Sequence, residues 1–122
     1  AGRILLPGDV SHPIERRLLA EGLSRHDVLL APHHGSDSSS GAQFLARVRP
    51  RLAIATAALG NRFDFPRAAV RERYRAAGIR LLTTGECGAI RVSLRDGEVE
   101  RVTSARRERG RIWRWPAAAG CP

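Results

Sequence analysis

The pattern that most constrains this chain is a regular exchange of short apolar runs with amphipathic stretches, each punctuated by proline or glycine. Residues 4–6 form an apolar run that stops at Pro7-Gly8, the signature of a buried strand. From Pro13 the apolar residues Ile14, Leu18, Leu19 and Leu23 recur at helical spacing, with Gly22 as a stop. Residues 28–31 predict a second buried strand, ended by Pro32. Residues 41–48 predict a short helix that buries Phe44, Leu45 and Val48 and is closed by Pro50. Residues 52–56 make a third strand. Pro66 suits the first position of a helix, where its missing N–H costs nothing, and Gly78 is a good left-handed stop. Val70, Tyr74 and Ala77 are expected on the buried face of that helix. Residues 79–83 make a fourth strand, and residues 89–94 and 99–103 flank Asp96-Gly97, a strong hairpin signal.

Strands alternating with helices over short connections argue for an α/β fold with an antiparallel hairpin added at the end. Periodicity alone leaves a doubly wound, flavodoxin-like sheet equally open. Residues 36–40 are serine-rich and read as low complexity. After Ala105 the alternation fails: Arg106, Arg107, Arg109, Arg111 and Arg114 crowd a stretch that holds Trp113, Trp115 and Pro116. The domain is expected to span residues 1–104, with 105–122 a mobile basic tail or a helix end docked through its Trp rings. Such Arg and Trp mixtures suit nucleic acid through phosphate pairing and base stacking.

With 122 residues the chain suffices for one domain or part of one. There is no Met at all, position 1 included, which suggests a piece of something longer. The net charge is +9, and every one of the 21 basic residues counted as Lys or Arg is Arg. A guanidinium donates two parallel hydrogen bonds to phosphate, and a net positive surface draws nucleic acid or anionic lipid. Cys87 and Cys121 fit no zinc spacing, and free thiols are the expectation. No apolar run approaches the roughly 20 residues of a membrane span.

Two strand ends carry the chemistry. The first runs Leu6-Pro7-Gly8-Asp9 and the second Ala31-Pro32-His33-His34-Gly35-Ser36. Ligands gather at the carboxyl ends of strands in α/β sheets, so a parallel return would put Asp9 and the His pair on one rim. A carboxylate and a neutral imidazole are common ligands of zinc or manganese. If the His pair continues the strand, its members point to opposite faces, and one ligates while the other meets substrate or the first ligand. His12 reads as a solvated residue at a helix start, or as a group behind the ligands; His26 reads as surface. Arg67, Arg71 and Arg75 recur every four residues and form one stripe.

Pro32-His33-His34-Gly35-Ser36 with Asp37-Ser38-Ser39-Ser40, Leu5-Leu6-Pro7-Gly8-Asp9, Asn61-Arg62-Phe63-Asp64-Phe65-Pro66 and the closing Gly85, Gly88-Ala89-Ile90 resemble, in that order, segments of ComEC-type DNA-uptake proteins. The likeness covers roughly residues 4–95. It implies the C-terminal half of a metallo-β-lactamase-like αββα sandwich with a mixed sheet. It implies a site for two divalent metal ions, zinc or manganese, with Asp9 as bridging carboxylate, His33 as ligand and His34 as its alternative. Asp9, His34 and Ser36 would be catalytic, Ser36 by positioning a phosphate, and Arg62, Arg67, Arg71 and Arg75 would hold DNA. The implied setting is a soluble domain on the extracytoplasmic side of an inner-membrane protein, joined to a membrane channel in the same chain and hydrolysing phosphodiesters of the strand left outside. The HxHxDH segment of such folds is absent here, so this piece is expected to be inactive, with at most one weakly bound metal. Phe65 and Arg67 stand where some relatives have His, and Asp64 replaces a Gly. The competing readings are a lactonase or phosphoesterase on the same fold, a non-catalytic basic DNA-binding module, and a response-regulator-like domain.

Overall fold

The computed structural model describes residues 2–108 and 117–122. Its centre is a four-stranded, wholly parallel sheet in the order β1 (Ile4–Leu5), β2 (Val28–Leu30), β3 (Leu52–Ala55), β4 (Arg80–Thr83). The register is continuous from edge to edge, with Ile4 beside Val28, Leu29 beside Ala53 and Ala55 beside Thr83. Between the strands run α1 (His12–Ala20), α2 (Ala42–Val48) and α3 (Ala68–Ala76). A short helix α4 (Thr84–Cys87) leads to the hairpin β5 (Ile90–Arg95) and β6 (Glu98–Ser104), and one turn, α5 (Ala105–Glu108), follows.

The sheet divides its side chains by the two-residue alternation of a strand. Leu29, Ala31, Ala53 and Ala55 face a buried cluster completed by Phe44, Leu45 and Val48 of α2, Val70 and Tyr74 of α3, and Ile79. Burying each of the three α2 side chains stabilises by roughly 1.5–3 kcal/mol. Leu52 and Leu82 face the other way, onto Cys87, Cys121 and the partly buried Ile90, Val92 and Val102 of the hairpin. Helices therefore cover one face and the hairpin the other. The hairpin is a separate two-stranded sheet, where one mixed sheet was expected. Its turn is as the sequence predicts: Asp96 and Gly97 both take positive φ, 49° and 81°, the geometry that matches strand twist.

The expectations for the cysteines and for the buried faces of α1 and α3 need correction. Cys87 and Cys121 are not free thiols; they form a disulfide across a separation of 34 residues. Neither local motif nor spacing signals it, because the pairing depends on the chain end folding back. Ala117 packs on the hairpin-side cluster, Arg80 donates to the Gly120 carbonyl and Ser104 to that of Pro122, so residues 117–122 are anchored. Most of the Arg/Trp stretch, residues 109–116, lies outside the described residues. In α1, Ile14 is 43% exposed and its neighbour Glu15 is buried at 2%. The inward face is turned by one residue, because the Glu15 carboxylate finds two backbone donors. In α3, Ala77 is exposed beyond the helix end, and Val70 and Tyr74 alone make the buried face.

Candidate metal and phosphate site

Because β1, β2 and β3 are parallel neighbours, the segments that follow them meet along one edge of the sheet. Pro32 ends the β2 pattern, and the chain turns sharply over Pro32–Gly35, where His33 and His34 both take left-handed backbone angles (φ 49° and 57°). Non-glycine residues occupy this region rarely, His more readily than most, and two in succession concentrate local strain. The strand premise for opposed His side chains therefore fails: both rings line one cleft, of about 350 Å³, together with Asp9, Thr56, Asn61, Phe63 and Phe65.

Within the cleft the closest charged approach joins Asp9 to His34, whose Nε2 is 3.6 Å from Asp9 Oδ1. Both side chains are well exposed, 66% and 48%. His34 Nδ1 lies 2.8 Å from the Thr56 carbonyl oxygen and 2.8 Å from Thr56 Oγ1. A carbonyl only accepts, so this contact places a proton on Nδ1; on the neutral ring Nε2 then carries the lone pair on the Asp9 side. With the ring neutral two acceptors face each other, an arrangement that a shared cation, whether a proton or a metal ion, resolves. Two ligands of one first-row ion, each at about 2.1 Å with a tetrahedral angle, lie about 3.4 Å apart. Thr56 stands where a group behind a ligating imidazole would stand. Among the described residues no group of three or more His, Cys, Asp or Glu side chains comes together to surround a metal.

His33 donates its backbone N–H to the Gly8 carbonyl, which ties the His turn to the Asp9 loop, and its Nδ1 lies 3.4 Å from Ser38 Oγ. Ser36 bonds Ser38 Oγ at 3.0 Å and sits behind His33 without lining the cleft. The serine-rich stretch is not loose. Ser39 and Ser40 are fully buried. Glu15 accepts from the backbone N–H of Ser40 (2.6 Å) and Gly41 (3.0 Å), Tyr74 bonds Ser40 Oγ (3.1 Å), and Arg73 donates to the Ser39 carbonyl and pairs with Asp37. Burial pushes the Tyr74 phenol up to about 12. His12 stands at the start of α1 with its side chain 37% exposed, and its ring also reaches Glu15 through Nδ1 (3.2 Å) and the Asp37 carbonyl through Nε2 (3.1 Å). Gly35 lets this loop meet the next one, since a Cβ there would stand 2.5 Å from Pro66.

The following loop is organised by Asn61, which no chemical motif had singled out. Its amide donates to the carbonyls of Ala58 and Phe65, and its carbonyl accepts from the N–H groups of Phe63 and Phe65. Phe63 and Phe65 stack with centroids 5.4 Å apart, and Phe65 meets the His33 ring edge-on at 6.1 Å. The Arg62 guanidinium lies 4.5 Å from the Phe63 centroid. Arg67, Arg71 and Arg75 are exposed along α3, outside the cleft lining. Arg71 reaches Glu86 at 3.5 Å, and Arg75 binds Glu72 at 2.6 and 2.7 Å, which lowers the Glu72 carboxyl.

Over 80% of its length the chain is 37% identical to "Competence protein ComA" of Neisseria gonorrhoeae. It is 33% identical, also over 80% of its length, to "Recombination protein 2" of Haemophilus influenzae, and 38% identical over 52% of its length to "ComE operon protein 3" of Bacillus subtilis. The matched segments make up 14%, 12% and 8% of those proteins, so the chain spans a small part of each. No family model and no solved structure matches the chain.

Proposed function

Starting from the homology of this chain to a segment of ComEC-type competence proteins, we propose that it forms part of a metal-dependent phosphodiesterase acting on DNA during DNA uptake. The fold would be the C-terminal half of a metallo-β-lactamase-like domain. The observation that carries the reading is the Asp9–His34 pair, a carboxylate oxygen and an imidazole Nε2 3.6 Å apart, with the ring set by Thr56. The HHGS and NRF segments around it are the same ones that carry the family likeness.

Asp9 and His34 would hold one divalent ion, zinc or manganese, with His33 adjoining. The remaining ligands of a two-metal centre would come from outside this chain. Such ions supply an activated water and positive charge to a phosphodiester. Thr56 keeps the imidazole in its ligating tautomer, Gly8 fixes the His turn, and Ser38 and Ser36 support His33. Arg62 beside the cleft, and Arg67, Arg71 and Arg75 beyond it, offer guanidinium groups to the DNA backbone. Arg75 is the weakest of these, because Glu72 already engages it.

The Cys87–Cys121 disulfide supports a location outside the reducing cytosol, where such bonds persist. No helix among the described residues is long and apolar enough to cross a membrane, so a membrane channel would belong to another part of the parent protein.

Zinc or manganese titration of this chain, with DNA cleavage by the longer parent protein, tests the reading. Asp9→Asn and His34→Ala are each expected to weaken metal binding at least about tenfold and to abolish cleavage. Metal-dependent cleavage that survives both substitutions would overturn it. A second reading, a non-catalytic DNA-binding module, is favoured by the +9 charge. It predicts DNA binding that falls steeply with salt and ignores both chelator and Asp9→Asn.

A further inference from the structure

The Phe63 ring is out of place on a water-facing loop. It is 50% exposed, and neighbouring Leu59 is 57% exposed. The loop carrying it is nevertheless fixed by four hydrogen bonds of Asn61, so the exposure is built in by the backbone. The ring belongs to an aromatic series that leads into the site: Phe63 on Phe65, Phe65 against His33, and His33 in the cleft with Asp9. A guanidinium, planar and cationic, already rests over Phe63.

We infer that Phe63 is a nucleobase-stacking platform beside the phosphate site, and that Arg62 pairs with the phosphate flanking the stacked base. The inference rests on the DNA-directed reading above and narrows its substrate to nucleotides whose bases are unpaired. Every base has an apolar π-face, so a lone exposed ring binds without regard to sequence. Stacking on an aromatic ring is worth about 1–3 kcal/mol per base. The base takes the position now held by the guanidinium. Arg62, on a long flexible stem, then turns outward to the negatively charged backbone. A duplex hides its base faces and gains nothing from Phe63. This explains why an apolar ring should sit among arginines at the lip of the cleft.

The test is binding of a labelled single-stranded oligodeoxynucleotide to the full chain by fluorescence anisotropy, in chelator so that nothing is cut. Phe63→Leu keeps the loop apolar and removes the π-face; Phe63→Trp enlarges it. Phe63→Leu is expected to weaken binding about tenfold, the 1.4 kcal/mol within the stacking range. Phe63→Trp should bind as tightly as the parent or more so. An oligonucleotide of the same length with abasic sites should bind weakly and be insensitive to both changes. Arg62→Ala should lower the salt dependence by about one phosphate contact. Circular dichroism checks that each variant keeps its fold. Equal affinities of Phe63→Leu and parent, or an equal loss on the abasic strand, would sink the inference. Neither result touches the phosphodiesterase reading, which stands or falls with Asp9 and His34 in the cleavage assay.

Discussion

The loop that backs the His turn and the loop that lines the cleft after β3 reach their shapes by different means. The serine loop after the His turn is gripped from other elements: Glu15 of α1 takes two of its N–H groups, and Tyr74 and Arg73 of α3 hold Ser40 and Ser39. Its own Ser39 and Ser40 are fully buried. The loop after β3 is tied at its ends to Thr84 and Gly35, but its middle is held from within, by one Asn61 side chain, and leaves Leu59 and Phe63 in water. The first loop is part of the core and transmits the position of the core to His33. The second is a surface whose apolar content is available for something to touch. A chain that fixes its reactive turn by tertiary contacts can hold two His residues in left-handed geometry; a self-contained loop could not be relied on for that.

The sharpest way to break this contrast is Glu15→Ala. It strands the Ser40 and Gly41 N–H groups inside the protein, at about 1–3 kcal/mol for each. A loss of about 3 kcal/mol in urea-induced unfolding is expected, with loosening of the serine loop visible by hydrogen exchange. A loss under 0.5 kcal/mol would show the loop is not gripped through this carboxylate. Tyr74→Phe removes one buried partner of Ser40 and should cost about 1 kcal/mol. Asn61→Ala should cost less in global stability, because it loosens a loop that the core does not depend on, yet weaken oligonucleotide binding as much as Phe63→Leu does. If it unfolds the protein as readily as Glu15→Ala, the two loops are not different in kind. The last effect appears only at alkaline pH. The single Tyr of the chain should ionise near 12, seen as late phenolate absorbance. The folded value is raised above the usual 10, so the associated stability is intact below pH 10 and is lost as pH rises toward 12.

Much of the scaffold was legible from residues alone. Apolar runs ending in Pro or Gly place the four strands, and Asp96-Gly97 places the hairpin, because these signals are local. The meeting of Asp9 with the His pair followed from parallel strand order. What was not legible depends on distant partners. Glu15 looks solvent-facing until the two N–H groups it serves are in view, and its burial turns α1 by one residue from the apolar stripe. The choice of His34 over His33 beside Asp9 comes from backbone angles after Pro32 that no periodicity reports. Phe63 in a sequence reads like any other core aromatic; its exposure is a property of the Asn61 clamp.

The covalent link between Cys87 and Cys121 sets what a protease can achieve. A single nick anywhere between the two would open the backbone and release nothing. The cut molecule would migrate at full mass on a denaturing gel until reductant is added, and only then part into two pieces.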